Sequence, residues 1–346
     1  MKILIDLNHP AQVHFFKNFI FEMKKRGHKV LVTAYNKEVA FKLLKFYKIE
    51  FVDMGKYNKT FFGKIIDLVR KDWKLFFIVK NFAPDILMGL GSINAAHIGW
   101  LTRKPVLLFD DDEYSYPYYK NFATKIIGFS GFKIMGTKIT KVNSFKEIAY
   151  LHPDYFKPDK TVLKEIGCQN KQFFIIRLVA WQSGHDIGRY GLDEKSILEL
   201  VGVLKKQGRV LISSEKPLPK SLIQYGIKIA PNKLHSALYH AKMLICDSQT
   251  MATEAAILGT PTVRCNSFVG INDMGNFVEL EKKYGLIYSF NNYKLAFRKV
   301  SSLLKDINLE KTWQDKRQKL LHDKINITKL MIKILKEFEK THTFTF

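Results

Sequence analysis

Residues 247–261 read Asp247-Ser248-Gln249-Thr250-Met251-Ala252-Thr253-Glu254-Ala255-Ala256-Ile257-Leu258-Gly259-Thr260-Pro261, small polar groups placed directly after the apolar run Met243-Leu244-Ile245-Cys246. Such a run reads as a buried strand, and the small polar residues behind it as the start of a helix that stops before Gly259. The unpaired N–H groups and the dipole of a helix start favour an anion such as phosphate, to which Ser248 and Thr250 add hydroxyls. Glu254 comes one turn after Thr250 on the same face, where an acceptor would meet the hydroxyls of a ribose joined to that phosphate. The spacing suits a nucleotide diphosphate; an ordinary capped strand–helix unit is the alternative.

Other strand ends carry groups that could join such a site. Asp6-Leu7-Asn8-His9-Pro10-Ala11-Gln12-Val13-His14 runs from the first strand into a helix and holds two of the ten histidines, with His14 placed to act as a general base. Met88-Gly89-Leu90-Gly91-Ser92-Ile93-Asn94 follows another strand with small residues that admit a close backbone or ligand, yet it lacks the dinucleotide fingerprint, which argues against a nicotinamide cofactor. Asp110-Asp111-Asp112-Glu113 crowds carboxylates at a strand end, so at least one pKa should rise unless a cation neutralises them. The cluster is suited to a catalytic base or to Mg²⁺, and equally to a solvated acidic turn. Later in the chain Arg177, Ser183 and His185 follow a strand, Ser213 and Glu215 follow the next, His235 opens a helix, and Asn272 and Asn276 flank another helix start.

These residues need a scaffold of strands ending at one edge. Segments 3–7, 30–34, 50–53, 85–90, 106–110 and 133–135 read as strands, separated by helical patterns at 15–25, 37–47, 63–79 and 118–128. A two-proline segment around His152-Pro153 interrupts the alternation, which restarts with strands at 173–178, 209–213, 227–229, 243–246, 261–265 and 286–289. Helical patterns fill 193–206, 219–225, 234–242, 251–258 and 276–284, and the chain after Asn291 reads as helical. The reading is α/β: doubly wound domains at 1–152 and 153–322, with a C-terminal helix at 323–346 packing back on the first. Two such domains would place their strand ends on a shared cleft.

The 346 residues can form two substantial cores, and no apolar run approaches a membrane span. With no signal-peptide pattern at the start, a cytoplasmic location is expected. Cys168, Cys246 and Cys265 lack metal-ligand spacing and read as reduced packing residues. The net charge of +24 calls for an anionic partner. It spans both halves and accompanies no recognised nucleic-acid module, which argues against nucleic acid. Residues 56–82 mix Phe61, Phe62, Lys64, Arg70, Lys71, Trp73, Lys74, Phe76, Phe77, Lys80 and Phe82, a composition suited to an anionic membrane surface or to a helix with buried aromatics.

On these motifs the chain resembles the GT-B superfamily, which holds glycosyltransferases with two Rossmann-like domains and the non-hydrolysing UDP-N-acetylglucosamine 2-epimerases. It is most similar to the domain of unknown function 354 family, whose opening Asp-x-Asn-His-Pro-Ala-x-Val-His-Phe-Phe matches Asp6 to Phe16. Asp247-Ser248, Glu254-Ala255 and Leu258-Gly259-Thr260-Pro261 match the epimerase donor segment, while Gln249-Thr250 stands for its two glycines and Thr253 for its first Glu. The chain departs from the epimerases at Asn8–Gln12 and at Ser92, near which they carry an Asp. Its His14 loop is instead similar to the first loop of the peptidoglycan N-acetylglucosaminyltransferase, and Asn94 falls near the small-residue loop on that enzyme's acceptor side.

The resemblance implies a glycosyltransferase that moves sugar from a UDP-sugar to a hydroxyl of a glycan or lipid-linked acceptor, with no metal or other cofactor required. Arg177, Ser183, His185, Ser213, Glu215, His235, Ser248, Gln249, Thr250, Glu254, Asn272 and Asn276 would serve the donor. His14, Asp110, Asp111 and Asp112 would supply the base, and Asn8, His9, Ser92 and Asn94 would line the acceptor side. Alternatives are a sugar-nucleotide epimerase and a non-catalytic nucleotide-sugar or nucleic-acid binding protein.

Overall fold

The computed structural model describes residues 1–36, 38–55, 61–180, 190–270 and 273–344. The chain divides into two compact units, Met1–Tyr155 with Lys324–Phe346, and Phe156–Asp323.

The first unit is built on seven parallel strands, β1 (Lys2–Leu7), β2 (Lys29–Ala34), β3 (Phe51–Asp53), β4 (Ile86–Leu90), β5 (Val106–Asp110), β6 (Lys125–Gly128) and β7 (Ile139–Lys141), in the order β3-β2-β1-β4-β5-β6-β7. In β4 and β5 every residue is buried, because helices cover both faces of a parallel sheet and remove the usual alternation. The helices are α1 (Pro10–Lys25), α2 (Glu38–Phe46), α3 (Phe61–Phe82), α4 (Ile93–Leu101), α5 (Tyr116–Tyr119) and α6 (Ile148–Leu151).

Two expectations fail here. The helix expected at 118–128 is only the single turn of α5 followed by β6, since Ile126 and Ile127 are buried β-branched residues that pair with Leu108 and Phe109. The strand expected at 133–135 does not form; Met135 is exposed, and the sheet instead closes on β7, which registers Ile126 against Ile139.

The second unit has five parallel strands, β8 (Phe173–Leu178), β9 (Arg209–Ser214), β10 (Met243–Cys246), β11 (Thr262–Cys265) and β12 (Ile287–Phe290), ordered β12-β11-β10-β8-β9. Its helices are α7 (Thr161–Glu165), α8 (Glu194–Leu204), α9 (Leu234–His240), α10 (Gln249–Ile257), α11 (Gly275–Lys282), α12 (Tyr293–Leu303) and α13 (Leu309–Asp323), with a 3₁₀ turn at Lys220–Tyr225 where an α-helix was expected. The strand expected at 227–229 is reduced to one bridge between Gly226 and Ile212 and one backbone bond from Ile227 N to Ile212 O, because the 3₁₀ turn delivers the chain to the sheet edge for a single residue.

The last helix, α14 (Ile327–Thr341), belongs to the first unit. It buries Ile327, Met331, Ile334, Leu335 and Phe338, an apolar stripe at helical spacing that packs on α1 and α6. Polar anchors fix its start: Lys324 Nζ donates to Asn143 Oδ1 (2.7 Å) and Ser130 Oγ (2.9 Å), and Thr328 Oγ1 donates to Ala149 O (2.8 Å).

Candidate functional site

In the second unit the strand order reverses direction between β8 and β10, the place where open α/β sheets receive ligands. Asp247 ties the two strand ends together: its Oδ1 accepts from Val179 N (2.9 Å), its backbone N donates to Arg177 O (3.2 Å), and its carbonyl accepts from Asn266 Nδ2 (2.9 Å). Gly191 lies so close that a Cβ there would stand 2.2 Å from Asp247 Oδ2, so no larger residue fits. Ser248 then caps α10 in extended conformation, its Oγ accepting from Met251 N (3.4 Å). Ser248 is buried, whereas Gln249 and Thr250 in the first turn are half-buried and present the helix start. Gly259, at φ +76°, lets the chain leave the helix for β11.

Around this helix start the polar groups are paired in advance. Glu254 is buried, and its Oε1 meets Nε2 of buried His235 at 3.0 Å, locking α10 to α9. Arg264, fully buried inside β11, donates through Nη1 to Gln249 Oε1 (3.1 Å), pairs through Nη2 with Asp273, and lies 3.7 Å above the Phe277 ring. Burial pulls the Arg264 guanidinium below its ordinary value, and Asp273 opposes that pull. Arg177 donates through Nη1 to Ser213 Oγ (2.9 Å) and pairs through Nη2 with Glu215, whose other oxygen accepts from Ala180 N (2.9 Å). Asn276, in the first turn of α11, is buried and its Oδ1 has no hydrogen-bond partner among the described residues. Ser183, His185 and Asn272 lie outside the described residues.

In the first unit the reversal lies between β1 and β4, so the loops after β1, β4 and β5 are neighbours along one edge. Gln12 joins two of them, accepting from Asn8 N (2.5 Å) and donating to Leu90 O (2.8 Å). His9 is the exposed cap of α1, its Nδ1 accepting from Ala11 N (3.2 Å). One turn further, buried His14 packs near the Tyr150 ring (5.5 Å), and its Nδ1 meets the Tyr47 hydroxyl at 3.4 Å. Lys17 Nζ donates to the same hydroxyl at 3.3 Å. Burial brings Lys17 down to about 8 and pushes Tyr47 up to about 12.

Ser92 caps α4, accepting from Ala95 N (3.1 Å) and donating to Asp6 Oδ2 (2.6 Å). Asn94 is buried, its Oδ1 accepting from Tyr35 Oη (2.8 Å) and its Nδ2 donating to Asp72 (2.7 Å). Both residues are engaged inside the unit.

Oxygens of Asp110, Asp111 and Asp112 lie within 4.8 Å of one another. Burial, then the charges of Asp112 and Asp111, raise Asp110 to about 8, even though Tyr119 Oη donates to it at 2.6 Å. Asp111 is neutralised by Lys146 (2.5 Å). Burial works against the Lys146 charge, but Asp111 and Glu147 outweigh it and hold its pKa above the usual lysine value. Burial and the Asp111 charge also raise Asp112, the least buried of the three aspartates.

Lys17, Tyr47, Lys146, Asp247 and Arg264 were absent from the residues expected to act. Arg264 carries a local signal, a lone charge in the otherwise uncharged, fully buried Thr262–Cys265 strand. Lys146 and Tyr47 carry none, because they reach their partners Asp111 and His14 from 35 and 33 residues away.

Residues 1–283 match the family described as Protein of unknown function (DUF354). The chain belongs to the DUF354 family. The match runs from β1 through α11 and takes in both strand-end edges. The DUF354 chain is 23% identical to the uncharacterized protein MJ0665 of Methanocaldococcus jannaschii, over 88% of this chain and 99% of that one. Among solved structures it is similar to the UDP-GlcNAc 2-epimerase of Neisseria meningitidis bound to UDP-GlcNAc, at 15% identity and TM-score 0.65 over 97% of this chain and all of the other. It is also similar to the spinosyn rhamnosyltransferase SpnG complexed with thymidine diphosphate, at 11% identity and TM-score 0.62 over 96% of this chain and 99% of the other. At these identities the likeness establishes the fold, which is GT-B.

Proposed function

We propose that this protein is a glycosyltransferase that takes a nucleotide-diphosphate sugar, UDP-linked, on the strand-end edge of its second unit and passes the sugar to a hydroxyl of a glycan or lipid-linked acceptor. The observation that carries the reading is the start of α10 at the strand reversal, where Ser248 caps the helix, Gln249 and Thr250 present its first turn, and Glu254 stands one turn deeper. The diphosphate binds the helix start, and Glu254, oriented by His235, accepts from the ribose hydroxyls. The epimerase and the rhamnosyltransferase of similar fold each hold a nucleotide ligand, which supports the donor class.

In the reaction His14 takes the proton from the acceptor hydroxyl, the acceptor oxygen attacks the anomeric carbon, and the bond to the diphosphate breaks with its electron pair leaving on UDP. The helix dipole stabilises that departing charge, so no step is routed through a metal. Tyr47 at Nδ1 orients the His14 ring. His14 is assigned the base role because Asp110 already accepts from Tyr119 Oη and Asp111 is paired with Lys146.

One observation favours the epimerase reading: the aspartate cluster holds a protonated and an ionised carboxyl side by side, the pairing that acid–base chemistry on a bound sugar needs. Against it, the position near which epimerases carry a carboxylate is Ser92, here fixed on Asp6. A thermal-shift screen of nucleotide sugars tests the donor class: a UDP-sugar at saturating concentration should raise Tm by mass action, and no response to any nucleotide sugar overturns the proposal. Conversion of UDP-GlcNAc without an acceptor would establish the epimerase instead.

A further inference from the structure

Helix α3 carries an apolar stripe on the side away from the core. Leu75 and Val79 are buried, while Ile66, Val69, Trp73 and Phe77, spaced three or four residues apart, are each more than half exposed. A soluble helix ordinarily turns such residues inward. The stripe continues onto α4, where Trp100 and Leu101 are also more than half exposed. Val69, Trp73, Phe76, Ile98 and Leu101, with the single carboxylate Asp72, line a shallow hollow of about 210 Å³ between the two helices. Trp73 and Phe77 stack with ring centres 5.7 Å apart, and Trp100 packs edge-on against Phe122 at 5.5 Å, so aromatic rings cover both helices of this face.

Among the described residues, the exposed charges flanking this surface on α3 and after α4 and α5 are basic. Lys74 and Lys80 on α3, Arg103 after α4 and Lys120 after α5 are exposed. The acidic side chains of α3 are paired: Asp67 is buried and pairs with exposed Arg70 at 3.2 Å, and half-buried Asp72 holds His97 at 3.0 Å and Asn94 at 2.7 Å. Helix α4 has no acidic residue. Exposed tryptophans with a rim of lysine and arginine match the interfacial region of a bilayer, where the rings enter the headgroup level and the cations meet anionic lipid. The net charge of +24 complements the same partner.

We propose that the α3–α4 face docks the protein on an anionic lipid bilayer, with Trp73, Phe77 and Trp100 entering the interface and the protein remaining peripheral. Among the described residues no helix is long and apolar enough to cross a membrane. The proposal stands apart from the nucleotide-sugar reading, since the rings and cations it uses are none of the residues assigned to donor or acceptor.

Co-sedimentation with vesicles of phosphatidylcholine alone, and of phosphatidylcholine mixed with phosphatidylglycerol, tests it in the full chain. The protein should pellet with the mixed vesicles and less so at high salt, and the double variant Trp73→Ser/Phe77→Ser should bind roughly tenfold or more weakly while melting like the parent. Both residues are exposed, so the variant keeps its core. Failure of the parent to bind the mixed vesicles, or equal binding by the double variant, overturns the proposal. So does a concentration-dependent dimer in sedimentation velocity that the double variant abolishes, with no vesicle binding by the parent; the face would then join two copies of the chain.

Discussion

The two units share one architectural plan and differ in what they place at its reversal point. In the second unit the edge offers a capped helix start, with Gln249 held by a buried arginine and Glu254 by a buried histidine, groups suited to an anionic donor. In the first unit the corresponding edge gathers groups suited to proton transfer, the His14–Tyr47–Lys17 cluster and three crowded aspartates. A parallel sheet supplies the same strand ends to both, so topology alone does not separate anion binding from acid–base work. On the proposed reading, the separation comes from side chains contributed by other segments: Arg264 and His235 in one unit, Lys146 and Tyr47 in the other.

The contrast breaks most visibly at His14. If the first unit does the proton chemistry, His14→Gln should lower turnover by about 10²–10⁴ while leaving UDP-sugar affinity unchanged by calorimetry. Normal turnover would remove His14 as the base, and a parallel loss of donor affinity would place it on the wrong side of the comparison.

Arg264 tests the other edge. Arg264→Met keeps much of the apolar volume but leaves Asp273 buried without its cation and Gln249 without its donor. Chemical denaturation should show a loss of about 3–5 kcal/mol. A variant as stable as the parent would mean the ion pair is dispensable to the fold around α10.

Asp110 gives an effect confined to one pH window, with a sign that is specific to its edge. Its folded pKa of about 8 lies above the unfolded value of 3.8, so the folded state holds a proton that the unfolded chain releases. Stability from this group therefore falls as pH rises from about 4 to about 8 and is flat below and above that window. Asp110→Asn, with Tyr119 still donating to the amide oxygen, should flatten the slope and be more stable than the parent at pH 9, with little difference at pH 4. A parent whose stability does not fall across this window would show that the carboxyl is ionised in the fold.

Local signals made much of this legible in the sequence, and long-range ones did not. The α10 start was readable because its strand, its Ser248 cap and Gly259 are adjacent in the chain and each arises from short-range sterics. Crowding signalled the rise of one carboxyl in the aspartate cluster, although burial is its larger cause and only the fold supplies that; the neutralisation of Asp111 depended on Lys146, which the fold brings in from 35 residues away. β6 was misread as helix because Lys125–Gly128 is too short to show a period, and only pairing with β5 decides it. Likewise 227–229 had strand composition but met the sheet at one residue. The exposure of Trp73 and Phe77 was equally hidden, since a helix with aromatics on several faces does not declare which face the core takes.

At the centre stands the proposal that α10 and Glu254 hold the nucleotide of a sugar donor. Isothermal titration calorimetry of UDP-GlcNAc and UDP into the parent, Glu254→Ala and the conservative Glu254→Gln tests it most directly. Both ligands should bind the parent, affinity should fall roughly 100-fold or more in a folded Glu254→Ala protein, and Glu254→Gln should recover part of it through the remaining carbonyl acceptor. Undiminished affinity in folded Glu254→Ala would contradict the assignment.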